Sequence, residues 1–425
     1  MLSTSFMQES TRLARELGPV YKREFFNLEF TFVTGADLVA ELSDDRRFEK
    51  HVLPALEVIR PMIGDGLLTA YNHEPNWRAA HDLLMPAFSQ TAMRGYHPLM
   101  LEVCRQLHDS WATADAAVSV TAAMAKVTLE IIGRAGFGYS FDSFDRTTAH
   151  PFVTALEDVL NHGQRLVTRP PIAGGFLGKR ATERNDENIA YLKGVVDEVI
   201  ARRTGGDRGA DLLGLMLDSD TLDPTAIRNQ VLTFLAAGHE TTSAAMSFTL
   251  YYLAANPDVA ARARAEVDTV IGSAEPEFEQ VAKLRYLRRV VDESLRLWPT
   301  APGYSRVAKQ DTVLGGHYPM PAGEPFFVLA PALHRDPVWG DDPETFDPDR
   351  FLPEHNRSRP AHAYKPFGTG IRACIGRQFA LHQIVLVVAT VLQRYEPKLP
   401  AGYELRASEG LTFNPIGLTM HLTPR

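Results

Sequence analysis

The sequence predicts a mainly α fold with minor β content, and three observations carry that reading. One uninterrupted helical stretch from Pro224 to Ala255 is apolar around most of its circumference. A second apolar helix runs from about Gly376 to Tyr395. Residues rich in aromatic and β-branched types are confined to short runs near the two ends of the chain.

Near the N-terminus, MLSTSFMQESTRLARELG is amphipathic but too short of apolar length for a signal peptide or a membrane anchor. Residues 20–34 (VYKREFFNLEFTFVT) read as strands, and 76–255 as mainly helical. Asp223-Pro224 starts the long helix, with Asp as N-cap and Pro in the first turn. No breaker follows before Asn256-Pro257. Thirty-two residues at 1.5 Å each give a rod of about 48 Å. Its polar interruption, HETTS, argues against a membrane span. Residues 301–334 turn to short strands and loops, 335–373 are loop-rich with many Pro and Asp, and strand and turn follow the last helix. There is no internal repeat and no composition break, so residues 1–425 are expected to form one domain.

Composition excludes several classes. Lys+Arg 44 against Asp+Glu 52 gives a net charge of -8, with no basic block to track a phosphate backbone, so no nucleic-acid partner is expected. Only two cysteines occur, Cys104 and Cys374. A disulfide framework is therefore not expected, and a cytoplasmic, reducing location is.

Cys374 carries the chemistry. In FGTGIRACIGRQFA (367–380) it lies just before a helix, where backbone N–H groups and the dipole favour a thiolate. Gly368, Gly370 and Gly376 let the backbone approach a flat macrocycle, Phe367 can shield the sulfur, and Arg372 points a guanidinium at an anionic group. Cys104 has no such surroundings and reads as core. Inside the long helix, AAGHETTS (236–243) places small residues Ala236, Ala237 and Gly238 before Glu240-Thr241. An acid beside a hydroxyl can relay protons, though a Thr may equally bond back to its own helix. A zinc helix starting at His239-Glu240 fails, because position 243 is Ser.

These motifs resemble the cytochrome P450 signatures. Residues 367–376 match Phe-x-x-Gly-x-Arg-x-Cys-x-Gly at every fixed position, and Ala237–Thr242 matches the family's oxygen-site motif. The resemblance extends over nearly the whole chain. It is closest to the haem domain of bacterial self-sufficient fatty-acid hydroxylases, through stretches such as AFSQTAMRGYH, LRLWPTAPGYS and LHRDPVWGDDPE. It implies a cytochrome P450 fold with the long buried helix over haem b, and a monooxygenase putting one atom of O2 into an apolar substrate. Cys374 would be the axial ligand, Thr241 the proton relay and Glu240 its supplier. Arg372, Phe367, Trp77, His81, Lys50, Ala237 and Gly376 would contact the haem. Leu68, Ile63, Ala301 and Leu411 would line the substrate pocket, with Leu68 where those enzymes carry an aromatic residue. Glu293, Arg296 and Arg350 would form a buried ion network behind the cysteine loop.

Three departures from that subfamily matter. The sequence reaches Arg425 without a reductase domain, so separate electron donors such as ferredoxin or flavodoxin with its reductase are expected unless the chain is cut from a fusion. The Pro-rich hinge expected ahead of the first helix is missing. Leu28 and Phe32 stand where a basic residue and a Tyr anchor a fatty-acid carboxylate, with Lys22 or Arg23 as possible substitutes. A fatty acid or similar lipophilic compound is the substrate the resemblance implies, and with the anchor missing a natural-product scaffold is the alternative. A peroxygenase and a non-catalytic haem sensor are the rival readings.

Overall fold

A computed structural model describes residues 5–25, 28–112, 117–146, 148–168, 176–209 and 211–425. The central helix spans Pro224–Ala255, as its sequence predicts, because both ends are specified locally. Asp223 is extended (φ -72°, ψ 166°), and its carboxylate accepts from the Ala226 N–H at 2.7 Å. Pro257 then opens the next helix, Pro257–Val270. The rod packs along Val120–Phe137 and against the helices Arg285–Leu297 and Arg377–Arg394. These neighbours cover nearly all of its circumference. In its middle only Ala237, Gly238, Glu240 and Thr241 are less than fully buried.

Four of its hydroxyls are satisfied within the helix itself. Thr233, Thr241, Ser247 and Thr249 each donate to the carbonyl four residues back. His239, the would-be zinc ligand, bonds Thr128 Oγ1 at 3.0 Å, and burial pushes its pKa down to about 4.

The β content is peripheral. A five-stranded sheet runs in the order Val20–Phe25, Leu28–Val33, Pro325–Leu329, Gly303–Ala308, Phe48–His51, so a hairpin from the N-terminus pairs in parallel with a strand from the C-terminal third. The hairpin's tip, residues 26–27, falls outside the described residues. Two other strands, Ala407–Glu409 and Phe413–Pro415, form a hairpin that lies against the central helix. Among the described residues no helix is long and apolar enough to cross a membrane.

One loop is clamped onto the central helix by two glycines. Gly64 takes φ +54°, and a Cβ on Gly66 would lie 1.9 Å from Thr233 Oγ1. Asn229 donates to Asp65 Oδ1 at 2.9 Å, and Gln230 accepts from the Leu67 N–H at 3.0 Å. Leu68 is thereby held over the middle of the rod.

Removing the N-cap acceptor orphans the Ala226 N–H. Asp223→Ala should therefore lower stability by about 1 kcal/mol, read from denaturant unfolding. A midpoint equal to wild type would show that the cap contributes nothing.

Candidate functional site: a cavity between the central helix and the cysteine loop

The central helix lends one stripe to a cavity of about 360 Å³: Phe234, Ala237, Gly238, Thr241, Thr242 and Ala245. These positions repeat at three and four residues, so they share a face. Opposite them lies residues 365–376, including Phe367, Arg372, Cys374 and Gly376. Leu68, Leu53, Leu56, Phe88 and Ala301 supply most of the apolar remainder.

The cysteine loop is shaped by its backbone. The Cys374 N–H donates to Phe367 O at 2.9 Å, closing the loop, with Gly368 at φ +72° and Gly370 at φ +65°. The need for glycine at 370 is not the expected one. A Cβ there would lie 2.3 Å from Asp45 Oδ2, the carboxylate that also accepts from Ile371 N–H and pairs with Arg306. Gly370 therefore seats the loop on Asp45. Gly376 meets no protein atom closer than Phe88 Cε1 at 3.9 Å.

Cys374 is open to the cavity and enclosed by protein on its other sides. Burial raises its thiol pKa, while the Gly376 N–H and the Arg377 charge pull it down. Cys104, by contrast, is wholly buried, with its thiol pushed up to about 12.

On one flank of the cavity two cations sit together. Arg372 stacks over Trp77, 4.4 Å from the ring centroid, and Trp77 stacks on His81 at 4.9 Å. Arg372 donates one N–H to Ala70 O, and its Nε–H has no partner. Lys50 donates to Leu68 O. Burial, followed by the neighbouring Arg372 charge, lowers the Lys50 pKa to about 7. Burial lowers Arg372 to about 10. No carboxylate bonds either group among the described residues.

Behind the loop, Glu293 and Arg296 are completely buried and joined by two bonds, 2.6 and 2.8 Å. Arg296 also donates to the carbonyls of His334 and Pro343, and Glu293 accepts from Asp347 N–H. Arg350 approaches Glu293 Oε1 at 3.6 Å. His334 links this network to the loop, since its Nε2 accepts from Lys365 N–H, two residues before Phe367.

The chain matches the family described as Cytochrome P450 over residues 2–421. It is 43% identical to a bifunctional cytochrome P450/NADPH--P450 reductase 2 of Bacillus subtilis (strain 168), over 98% of this chain and 40% of that protein. This chain belongs to the cytochrome P450 family. A self-sufficient cytochrome P450 monooxygenase of Phanerodontia chrysosporium is 35% identical, over 97% of this chain and 40% of its own length. The crystal structure of a cytochrome P450DA haem domain superposes with a TM-score of 0.95 at 41% identity, covering 99% of this chain and 93% of that one. This P450 chain spans about 40% of the length of the curated relatives it matches.

The cofactor of the family is haem, and the residues present fit it. Two buried cations with no bonded carboxylate suit an anionic group at the cavity edge, and one sulfur faces the space beside them. No three His, Cys, Asp or Glu converge among the described residues. A porphyrin needs no such cluster, because it brings four donors of its own.

Several sequence expectations need correction. Ile63 is fully buried in a cluster with Phe152 and Leu156, and Leu411 packs on that cluster too; neither lines the cavity of this P450. Glu240 does not line it either. Its carboxyl turns to Asn414, because on the helix Glu240 falls about 60° beyond Ala237, the edge of the lining stripe. Phe32 lies in an aromatic cluster with Phe6, Tyr21 and Phe327, not at a mouth. Lys22 is paired with Glu29 and Glu324, and Arg23 with Glu9. Neither is a free anchor. Phe234, Leu53 and Leu56 were missed as lining residues; Phe234 could have been found three positions before Ala237 on the same helix face.

Arg296→Met leaves Glu293 buried with the Asp347 N–H and, as its one remaining cation, the longer Arg350 contact. Stability should fall by roughly 3–5 kcal/mol, measured by denaturant unfolding with haem loss followed in parallel. A loss under about 1 kcal/mol would put the pair in the class of surface contacts.

Proposed function

We propose that this chain is the oxygenating part of a haem-thiolate monooxygenase, which inserts one atom of O2 into a C–H or C=C bond of an apolar molecule. One observation carries the reading: Cys374 faces, across a single cavity, the small-residue stripe of the central helix that ends in Thr241. When bound, haem b supplies the activation of dioxygen.

In this reading Cys374 would ligate the haem iron through its sulfur. The Gly376 N–H and the Arg377 charge would stabilise its thiolate, and Phe367 would screen it from water. Arg372 and Lys50 would hold the propionates, with Trp77 and His81 stacked beside Arg372 as an aromatic wall. Ala237 and Gly238 would leave room for the cofactor. Thr241 holds and moves the proton. Its hydroxyl donates to Ala237 O at 2.8 Å, which leaves the oxygen's lone pairs able to accept. It can take a proton on that oxygen while giving up its own. Leu68, Ala301, Leu53 and Leu56 exclude water and select for apolar surface.

The substrate class is a lipophilic compound. A non-fatty-acid scaffold is favoured by the pairing of Lys22 and Arg23, which leaves no free cation on the first hairpin for a carboxylate. Electrons are supplied by an NADPH-dependent P450 reductase, as the names of the relatives suggest.

Cys374→Ser should abolish the red-shifted Soret band that a thiolate ligand gives the reduced carbon monoxide complex. An unchanged band would remove Cys374 from the iron. Thr241→Ala should lower product formed per NADPH consumed, with hydrogen peroxide rising to match. The same product-to-peroxide ratio in mutant and wild type would end the relay assignment.

A further inference from the structure

A second cavity, of about 480 Å³, lies beside the Glu293–Arg296 pair and shares no lining residue with the one that Cys374 faces. Trp339 supplies one wall, Asp347 and Arg350 a second, and Arg359 a third. His355 and Ser358 stand exposed at its edge.

Three N–H donors on these walls have no hydrogen-bond partner among the described residues: Trp339 Nε1, Arg350 Nε and Arg359 Nε. All three are buried, and a buried donor without a partner costs free energy that a bound acceptor would recover. The nearest acid to Arg350 Nε is Glu293 Oε1 at 3.6 Å, too long for a hydrogen bond. The other donors of the two guanidinium groups are engaged. Arg350 donates to the carbonyls of Trp339 and Asp342, and Arg359 to Arg350 O at 2.6 Å and Asn356 Oδ1 at 3.0 Å. Arg359 also lies 3.8 Å from the centre of the Trp339 ring, and Arg296 lies 5.2 Å from the same ring. These contacts hold the side chains in place and leave the Nε–H groups unpaired.

Charge is also out of balance. Glu293 and Asp347 bring two negative charges to this cluster, and Arg296, Arg350 and Arg359 bring three positive ones. Asp349, the next acid along the chain, is already held by Arg262 and Arg289. Arg359 pairs with no carboxylate among the described residues, and burial lowers its pKa to about 10.

Asp347 narrows the choice of anion. One of its carboxylate oxygens accepts from Asp349 N–H at 2.9 Å, and the other bonds nothing among the described residues. A fully ionised oxyanion such as sulfate would be repelled there. A phosphate keeps a P–OH close to neutral pH, since the second pKa of its esters is about 6. That hydroxyl can donate to the carboxylate while the remaining oxygens accept from N–H groups.

We propose that this cavity is a phosphate site, in which Trp339, Arg350 and Arg359 donate to the phosphate oxygens and Asp347 accepts from the P–OH, whether the phosphate is free or carried as an ester. The site takes part in no step of the oxygen chemistry and stands apart from the monooxygenase reading. A bound phosphate completes the charge balance of the Glu293–Arg296–Arg350 cluster, and so links phosphate concentration to stability.

The haem-loaded protein is titrated calorimetrically at about pH 6, at constant ionic strength and in a buffer free of phosphate. The probes are inorganic phosphate, glycerol 3-phosphate and sulfate. Saturable one-to-one binding of either phosphate compound is expected, with sulfate about tenfold weaker or more. The tighter of the two phosphate compounds tells whether the site is built for the free ion or for an ester. Arg359→Gln should weaken phosphate by about tenfold or more. Trp339→Phe keeps the ring, loses the N–H and should weaken it several-fold. Asp347→Asn keeps the oxygen that accepts from Asp349 N–H and should remove most of the preference over sulfate. The unfolding midpoint should rise with phosphate in wild type and stay fixed in Arg359→Gln. If Arg359→Gln does not fold, Trp339→Phe and Asp347→Asn decide. No saturable heat with either phosphate compound, affinities unchanged by the substitutions, or sulfate as tight as phosphate in wild type each overturns the proposal.

Discussion

A sulfur is held where its environment opposes its charge. Burial favours the Cys374 thiol, while one N–H group and one arginine favour the thiolate. Burial outweighs them, so the protein alone favours the thiol. A metal ion would reverse that balance, because a coordinated thiol is deprotonated outright. The architecture then has two tasks: to keep the sulfur in one place without a ligand's help, and to keep water away once the ligand is there. The loop closed by the Cys374–Phe367 bond serves the first, and the packed central helix serves the second.

The loop does not hold itself. Asp45 clasps it from the sheet side, through Ile371 N–H and the close approach that Gly370 permits, and Asp45 is in turn fixed by Arg306. From behind, the Glu293–Arg296 pair reaches it through His334 and Lys365. A buried ion pair is a poor source of net stability, since desolvation offsets much of its attraction. Its value here is directional. Arg296 gives its remaining donors to carbonyls at 334, 343 and 345, which fixes the path of the chain leading into the loop. Apolar replacement of both partners could match the stability and would leave those carbonyls unpaired.

Sequence made the rods legible and left the directions obscure. Pro224–Ala255 could be read to the residue because its ends are local chemistry, a capping Asp and a stop at Asn256-Pro257, and because its apolar circumference has one physical explanation. The cysteine motif was legible for a similar reason: spacing and glycines sit within ten residues. Ile63 and Leu411 were placed at the pocket by resemblance, yet nothing local says which side of a backbone faces a cavity. Tertiary packing decides that, and it turned both onto the Phe152 cluster. Arg23 likewise could not be seen to meet Glu9, because the strand's neighbour is a helix whose packing the strand does not encode.

Glu240 differs from these, because the information was present. Successive helical residues diverge by 100°. Once Ala237, Gly238, Thr241, Thr242 and Ala245 are assigned to one face, Ala237 marks its edge, and the residue before Thr241 falls about 60° beyond that edge. An acid adjacent in sequence to the hydroxyl must therefore sit on a neighbouring wall, and that wall belongs to the C-terminal hairpin. This geometry has a consequence for the cavity. A carboxyl inside it would be a permanent polar group against an apolar substrate, costly to desolvate at each binding event. Tethered to Asn414, it lies outside the lining, and the lining stays apolar.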